Sequence, residues 1–178
     1  MTKKIIHDGK FLRVVRVGNW EYVERTTGKD VAYIIPVFVD KLNKPHLVFI
    51  KEWRIPVQQY VIGFPAGLVG DVDSGEDIEI AASRELIEET GYKAGRMRFV
   101  CSGPSSAGLS DETIHFYVAD RLKRVSLGGG DETECIDVLK VPLDEVQDWL
   151  NKQSENPAIV IGPKTYIGLY WIGQMDLE

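Results

Sequence analysis

A chain of 178 residues, 44% apolar and 27% charged, is long enough to close one core, and its composition excludes a disordered or fibrous protein. Lys and Arg number 21 against 27 Asp and Glu, and the net charge of −6 argues against a nucleic-acid surface read by electrostatics. No apolar run reaches the roughly 20 residues of a membrane span, no signal-peptide pattern opens the chain, and Cys101 and Cys135 make no disulfide framework. A cytoplasmic protein without a membrane partner is the expectation.

In chain order, residues 11–17 and 20–25 alternate as a half-exposed hairpin around a Gly18-Asn19 turn. Residues 31–39 form a continuous apolar strand, and 46–51 is the strand returning from a polar turn. The apolar segment 61–69 carries Gly63, Pro65 and Gly67, too many breakers for a straight core strand, so a bent backbone is expected. A helix follows to Thr90, with Ser74 as N-cap and Gly91 as terminator. Strand signals return at 97–101, 113–119 and 136–141. Two helices, 143–152 and 163–174, close a mixed α+β chain, the second opening on Pro163. A single domain spanning 1–178 is predicted, with 1–30 an N-terminal antiparallel strand region.

The acidic residues are concentrated. Eight lie between Gly70 and Thr90 and seven between Asp131 and Asp148. On a helical wheel Glu85 and Glu89 fall one turn apart, on the face that carries Ile78 and Ala82. Two acids in line with an apolar stripe are costly unless a cation satisfies them. Glu88 lies on the flank, facing Arg84 at i,i+4. Clustered carboxylates of this kind suit hard divalent cations, Mg²⁺ or Mn²⁺.

Gly70 is followed by five residues and Glu76, then by seven residues and Arg84-Glu85-Leu86-Ile87-Glu88-Glu89-Thr90-Gly91-Tyr92. This spacing resembles the 23-residue box of the Nudix hydrolases at every fixed position. The resemblance implies a mixed β-sheet sandwiched between α-helices and hydrolysis of nucleoside diphosphates linked to another moiety. It also implies that Glu85, Glu88 and Glu89 are metal carboxylates, with Arg84 orienting them.

Three further segments resemble the ADP-sugar pyrophosphatases: 20–27, 51–56 and 64–68. In that branch, aromatics matching Trp20 and Phe11 sandwich the adenine ring, where a flat base gains area and π contact. Arg25 and Arg54 match ligand-binding arginines, which grip phosphate or ribose oxygens in a bidentate way. Glu21, Leu68 and Glu112 match further substrate contacts, and Ala66 matches a residue whose backbone carbonyl binds metal. Fifteen residues beyond the box, where the branch carries a diagnostic proline, stands Ala107. A range of nucleoside diphosphate sugars wider than ADP-ribose is therefore expected.

The Gly128-Gly-Gly-Asp-Glu-Thr-Glu loop lies where such enzymes carry a catalytic glutamate, and its glycines give it room to close on a substrate. Both Glu132 and Glu134 remain candidates for the base, and Glu134 also for a metal ligand; Glu88 is a further catalytic candidate. The resemblance implies cleavage of ADP-ribose to AMP and ribose 5-phosphate by a homodimer in which one N-terminal hairpin helps build its partner's base pocket. Two alternatives stand beside it: a non-catalytic Nudix-fold nucleotide-binding module, and a Nudix hydrolase of another branch such as a nucleoside triphosphate pyrophosphatase.

Overall fold

The computed structural model describes residues 1–70, 75–130 and 135–175. Three strands open the chain, β1 (Lys3–Asp8), β2 (Leu12–Val17) and β3 (Trp20–Arg25), and pair antiparallel in that order as a separate sheet. The hairpin turns at Gly18, whose φ of +59° lies where a glycine is favoured. This sheet is thinly covered: every residue of β1 is exposed, and Ile5, Ile6 and Leu12 face solvent. It is tied to the rest of the chain through the Val23 N–H, which donates to the Leu109 carbonyl at 2.8 Å.

The main sheet has eight strands. Its path runs β13 (Ile159–Ile161), β6 (Gln59–Gly63), β5 (Pro45–Arg54), β4 (Asp30–Val39), β10 (Thr113–Asp120) and β9 (Arg96–Pro104). Off this path, β7 (Ala66–Leu68) pairs with β4 and β12 (Ile136–Pro142) pairs with β5. The β10–β4 and β13–β6 pairs are parallel and the others antiparallel, so the sheet is mixed. A two-stranded ladder of β8 (Tyr92–Lys93) and β11 (Lys123–Arg124) stands apart.

The two-residue period of β4 explains the layering. Val31, Tyr33, Ile35 and Val37 enter a large core with Phe49, Phe64, Leu150 and Ile172. That core is covered by α2 (Val146–Ser154) and α3 (Pro163–Ile172). Ala32 and Ile34 point the other way, into a smaller core with Ala81, Ala82 and Leu86 of α1 (Ile78–Thr90). Helices thus cover both faces, as expected. The three alanines have little side chain to hold α1 off the sheet, which brings the acidic face of α1 up against β7.

Several boundaries depart from the sequence reading. The N-cap is Asp77, whose carboxylate accepts the Glu79 N–H at 2.8 Å, so α1 starts at Ile78; Ser74 lies outside the described residues. A 3₁₀ turn, Leu143–Glu145, precedes α2, and α3 ends at Ile172 rather than near residue 174. The expected bend is present: β6 ends at Gly63, and β7 begins at Ala66 after Phe64-Pro65. At the far end of α1, Gly91 adopts φ +74° and returns its N–H to the Ile87 carbonyl.

Candidate active site

Helix α1 presents its acids as the wheel predicts. Glu85 and Glu89 are only 8% and 3% exposed, on the face that buries Ala82 and Leu86, while Glu88 is exposed on the flank. Buried carboxylates need partners. Glu89 accepts the Ala66 N–H at 3.1 Å, which joins the helix directly to β7. Arg84 serves the others: its Nη1 donates to Glu85 at 2.8 Å and to Glu88 at 3.0 Å. Its Nε and Nη2 grip Glu76 at 3.1 Å each, and Nη2 reaches the Leu68 carbonyl at 3.3 Å. The bidentate Arg84 guanidinium holds the Glu76 carboxyl below the usual carboxylate range. One arginine therefore ties both ends of the 23-residue box and the β7 backbone together.

The close approach of β7 depends on Gly67. A Cβ built there would lie 1.9 Å from the carboxyl carbon of Glu85 and 2.0 and 2.3 Å from its oxygens. No side chain fits. In the sequence Gly67 is a breaker within the 64–68 match; its packing against a carboxylate 18 positions later is invisible to local pattern.

Beside Ala66 opens a cleft of about 360 Å³, within the range of small-molecule sites. Its lining includes Glu52 and Arg54 of β5, Tyr33, Ser105 and Lys164. Arg54 pairs with Glu52 at 2.8 Å, and Arg25 pairs with Glu112 at 2.7 Å. Sequence reading selected Arg54, Arg25 and Glu112 but missed Glu52 and Lys164. The Tyr33 hydroxyl accepts the Phe64 N–H at 3.1 Å at the bend, and burial pushes this phenol up.

Three expected substrate contacts fall elsewhere. Glu21 is exposed and paired with Arg16 across the hairpin. Phe11 and Trp20 are 68% and 65% exposed and lie at opposite ends of the β2–β3 ladder, where Leu12 faces Arg25 and Val17 faces Trp20. A separation of roughly 20 Å along the strands follows from the strand rise. Within one chain they cannot sandwich a ring. Trp20 instead lines a surface groove with Tyr22, Ala107 and Asp111.

Glu132 and Glu134 lie outside the described residues, but the chain on either side is placed. The Gly129 N–H donates to the Glu89 carbonyl at 2.8 Å and the Gly130 N–H to the Glu88 carbonyl at 3.1 Å. Gly128 packs so tightly on Thr90 that an added Cβ would come within 2.4 Å of its backbone. Beyond the loop, Ile136 pairs with Glu52. Residues 129 and 130 are thus bonded to the C-terminal end of α1, and Ile136 pairs with a residue that lines the cleft.

Among the described residues no three His, Cys, Asp or Glu side chains converge as a ready cage. Two buried carboxylates beside an exposed third are nevertheless a hard-oxygen donor set that fits a divalent cation better than a softer metal. No helix among the described residues is long and apolar enough to cross a membrane.

The NUDIX domain family matches residues 28–160. An ADP-ribose pyrophosphatase of Bacillus subtilis (strain 168) is 32% identical over 150 residues, 82% of this chain and 78% of that protein. A methanol dehydrogenase activator of Bacillus methanolicus is 36% identical over 112 residues, 62% of this chain, and the match spans only 59% of that protein's length. The crystal structure of an ADP compounds hydrolase superposes with a TM-score of 0.74 at 24% identity, covering 98% of this chain and 91% of that one, a likeness of fold. With the box, the layering and the buried acid pair on one helix, the chain belongs to the Nudix family, and an ADP-ribose pyrophosphatase is among its relatives.

Proposed function

We propose that this Nudix protein hydrolyses the diphosphate of ADP-ribose and related nucleoside diphosphate sugars, giving a nucleoside monophosphate and a sugar phosphate, with Mg²⁺ or Mn²⁺ as cofactor. The observation that carries the reading is the buried pair Glu85 and Glu89, held by Arg84 and Ala66 at the edge of a cleft that also contains Arg54. The relatives' activities point the same way. Glu85, Glu88, Glu89 and the Ala66 carbonyl, with the loop glutamate that is not the base, would hold a divalent cation, which when bound would supply charge to the diphosphate and acidity to a nearby water.

The chain's own groups do the rest. Arg84 fixes Glu85 and Glu88 in direction through its Nη1. Arg54 and Arg25 offer planar donors to phosphate and ribose oxygens, each already oriented by a carboxylate, Glu52 or Glu112. A loop glutamate takes the proton as water attacks phosphorus. Glu134 is the preferred base and Glu132 the alternative. The glycines bonded to the Glu88 and Glu89 carbonyls, which start the loop at the end of α1, support a base from this loop. Glu134→Gln is expected to lower kcat by about 10²–10⁴ with little change in KM, whereas Glu132→Gln should mainly shift the Mg²⁺ requirement. The reverse pattern in steady-state kinetics would move the base to Glu132, and no effect from either would place it at Glu88 or Glu112.

A homodimer completes the base site. Phe11 and Trp20 are too far apart in one chain to share a ring, and the N-terminal sheet leaves Ile5, Ile6 and Leu12 exposed. A second copy brings the two aromatics together. Trp20→Ala should then raise KM by the loss of roughly 1–3 kcal/mol of base–aromatic stacking, with a smaller change in kcat. An unchanged KM, or a monomer of full activity in sedimentation, would contradict this part. The same reading has the enzyme working in the cytoplasm without a membrane partner, and its net charge of −6 supports the lack of a nucleic-acid partner.

A further inference from the structure

One cation in the cleft is absorbed neither by the motif nor by the ion pairs. Lys164 is the second residue of α3, on the α3 side of the sheet, with the acids of α1 on the other. Arg25 and Arg54 are each neutralised by a carboxylate, but the Lys164 ammonium makes no ion pair among the described residues. It lies over the Tyr33 ring, 5.6 Å from the centroid. Tyr33 in turn pairs with Ala66, whose N–H holds Glu89, so the residue under the ammonium is bonded to the strand that meets the acids.

This position is unfavourable for a lysine in three ways. Burial removes water from the ammonium and, with repulsion from Arg54 and Arg25, draws it below the usual lysine range; Glu112 only partly opposes this. The first turn of a helix is also its positive end, where a cation is disfavoured. A charge kept at such cost, on the lining of a cleft and without an ion pair among the described residues, is suited to an incoming anion.

We propose that Lys164 is a substrate-binding residue whose ammonium takes a non-bridging oxygen of the substrate's diphosphate. The inference rests on the nucleoside diphosphate reading above and adds a contact from α3, in the cleft beside Ala66 and Arg54. Lys164 then helps the cleft distinguish a nucleotide from a nucleoside.

The test compares wild type, Lys164→Gln and Lys164→Arg in steady-state hydrolysis of ADP-ribose with Mg²⁺, with ADP and adenosine as competing inhibitors. Losing one charge-assisted hydrogen bond should raise KM and the ADP inhibition constant about tenfold or more in the glutamine variant. The adenosine constant should stay unchanged, kcat should move less than KM, and the arginine variant should recover most of the loss. Should the glutamine variant unfold, Lys164→Met keeps the aliphatic stem over Tyr33 and is read the same way. A folded variant with unchanged KM and ADP constant would overturn the proposal while leaving the hydrolase reading intact. Equal weakening of ADP and adenosine would also overturn it, because the lysine would then only shape the pocket. A wild-type protein that hydrolyses no nucleoside diphosphate sugar would remove both readings together.

Discussion

Glu89→Gln and Glu85→Gln are each expected to fold normally and to lose at least about a hundredfold in kcat. The substitution keeps shape and removes one negative charge. A glutamine oxygen at position 89 still accepts the Ala66 N–H, so the link between α1 and β7 survives. At position 85 the loss leaves Arg84 bound to Glu76 and Glu88, which retains the frame of the box. What disappears is the anionic charge that a divalent cation needs. Circular dichroism melting and steady-state rates over a Mg²⁺ series separate the two effects. Near-wild-type turnover by either variant at ordinary Mg²⁺ would remove the carboxylates from the reaction.

Gly67→Ala is expected to do comparable damage without touching any charged group. The added methyl would start 1.9 Å from the Glu85 carboxyl carbon, so either β7 retreats or the carboxylate turns away. Misplacement by about 1 Å in a reacting constellation costs on the order of 10²-fold in rate. Overpacking adds roughly 1–3 kcal/mol of lost stability. Gly103→Ala is the control, because a Cβ at that position meets nothing within 4 Å. Thermal melts and kcat for the two alanine variants should therefore diverge sharply. Equal behaviour would mean that Glu85 has a freedom of movement that its burial argues against.

What could be read from the sequence was what is local in sequence. The box could be read because one helix places residues four apart on one face, and Glu85 and Glu89 are buried on that face. The Phe64-Pro65 bend and the Gly91 terminator follow from backbone chemistry at single residues. Asp77, three residues beyond Ser74, is the cap because its carboxylate reaches the Glu79 N–H, a contact that composition alone does not fix. The gaps are long-range. Gly67 and Glu85 meet across 18 positions, and Lys164 arrives from the last helix, so neither carries a local signature. The short edge strand β13 has only three residues, too few for a periodicity. The Phe11 and Trp20 match named the residue types, but strand register decides that one chain holds them at opposite ends.

The central claim is that the acid pair on α1 serves hydrolysis of a nucleoside diphosphate sugar. The most direct measurement is product analysis, by ³¹P NMR, of ADP-ribose and a panel of hexose-linked nucleoside diphosphates incubated with the protein, with Mg²⁺ and with chelator. AMP and ribose 5-phosphate are expected from ADP-ribose, with no turnover under chelation. With Ala107 lining the groove beside Trp20 in place of a stiffening proline, cleavage of at least one hexose-linked substrate is also expected. Binding of these compounds without cleavage, cleavage that persists in chelator, or turnover confined to nucleoside triphosphates would contradict the claim.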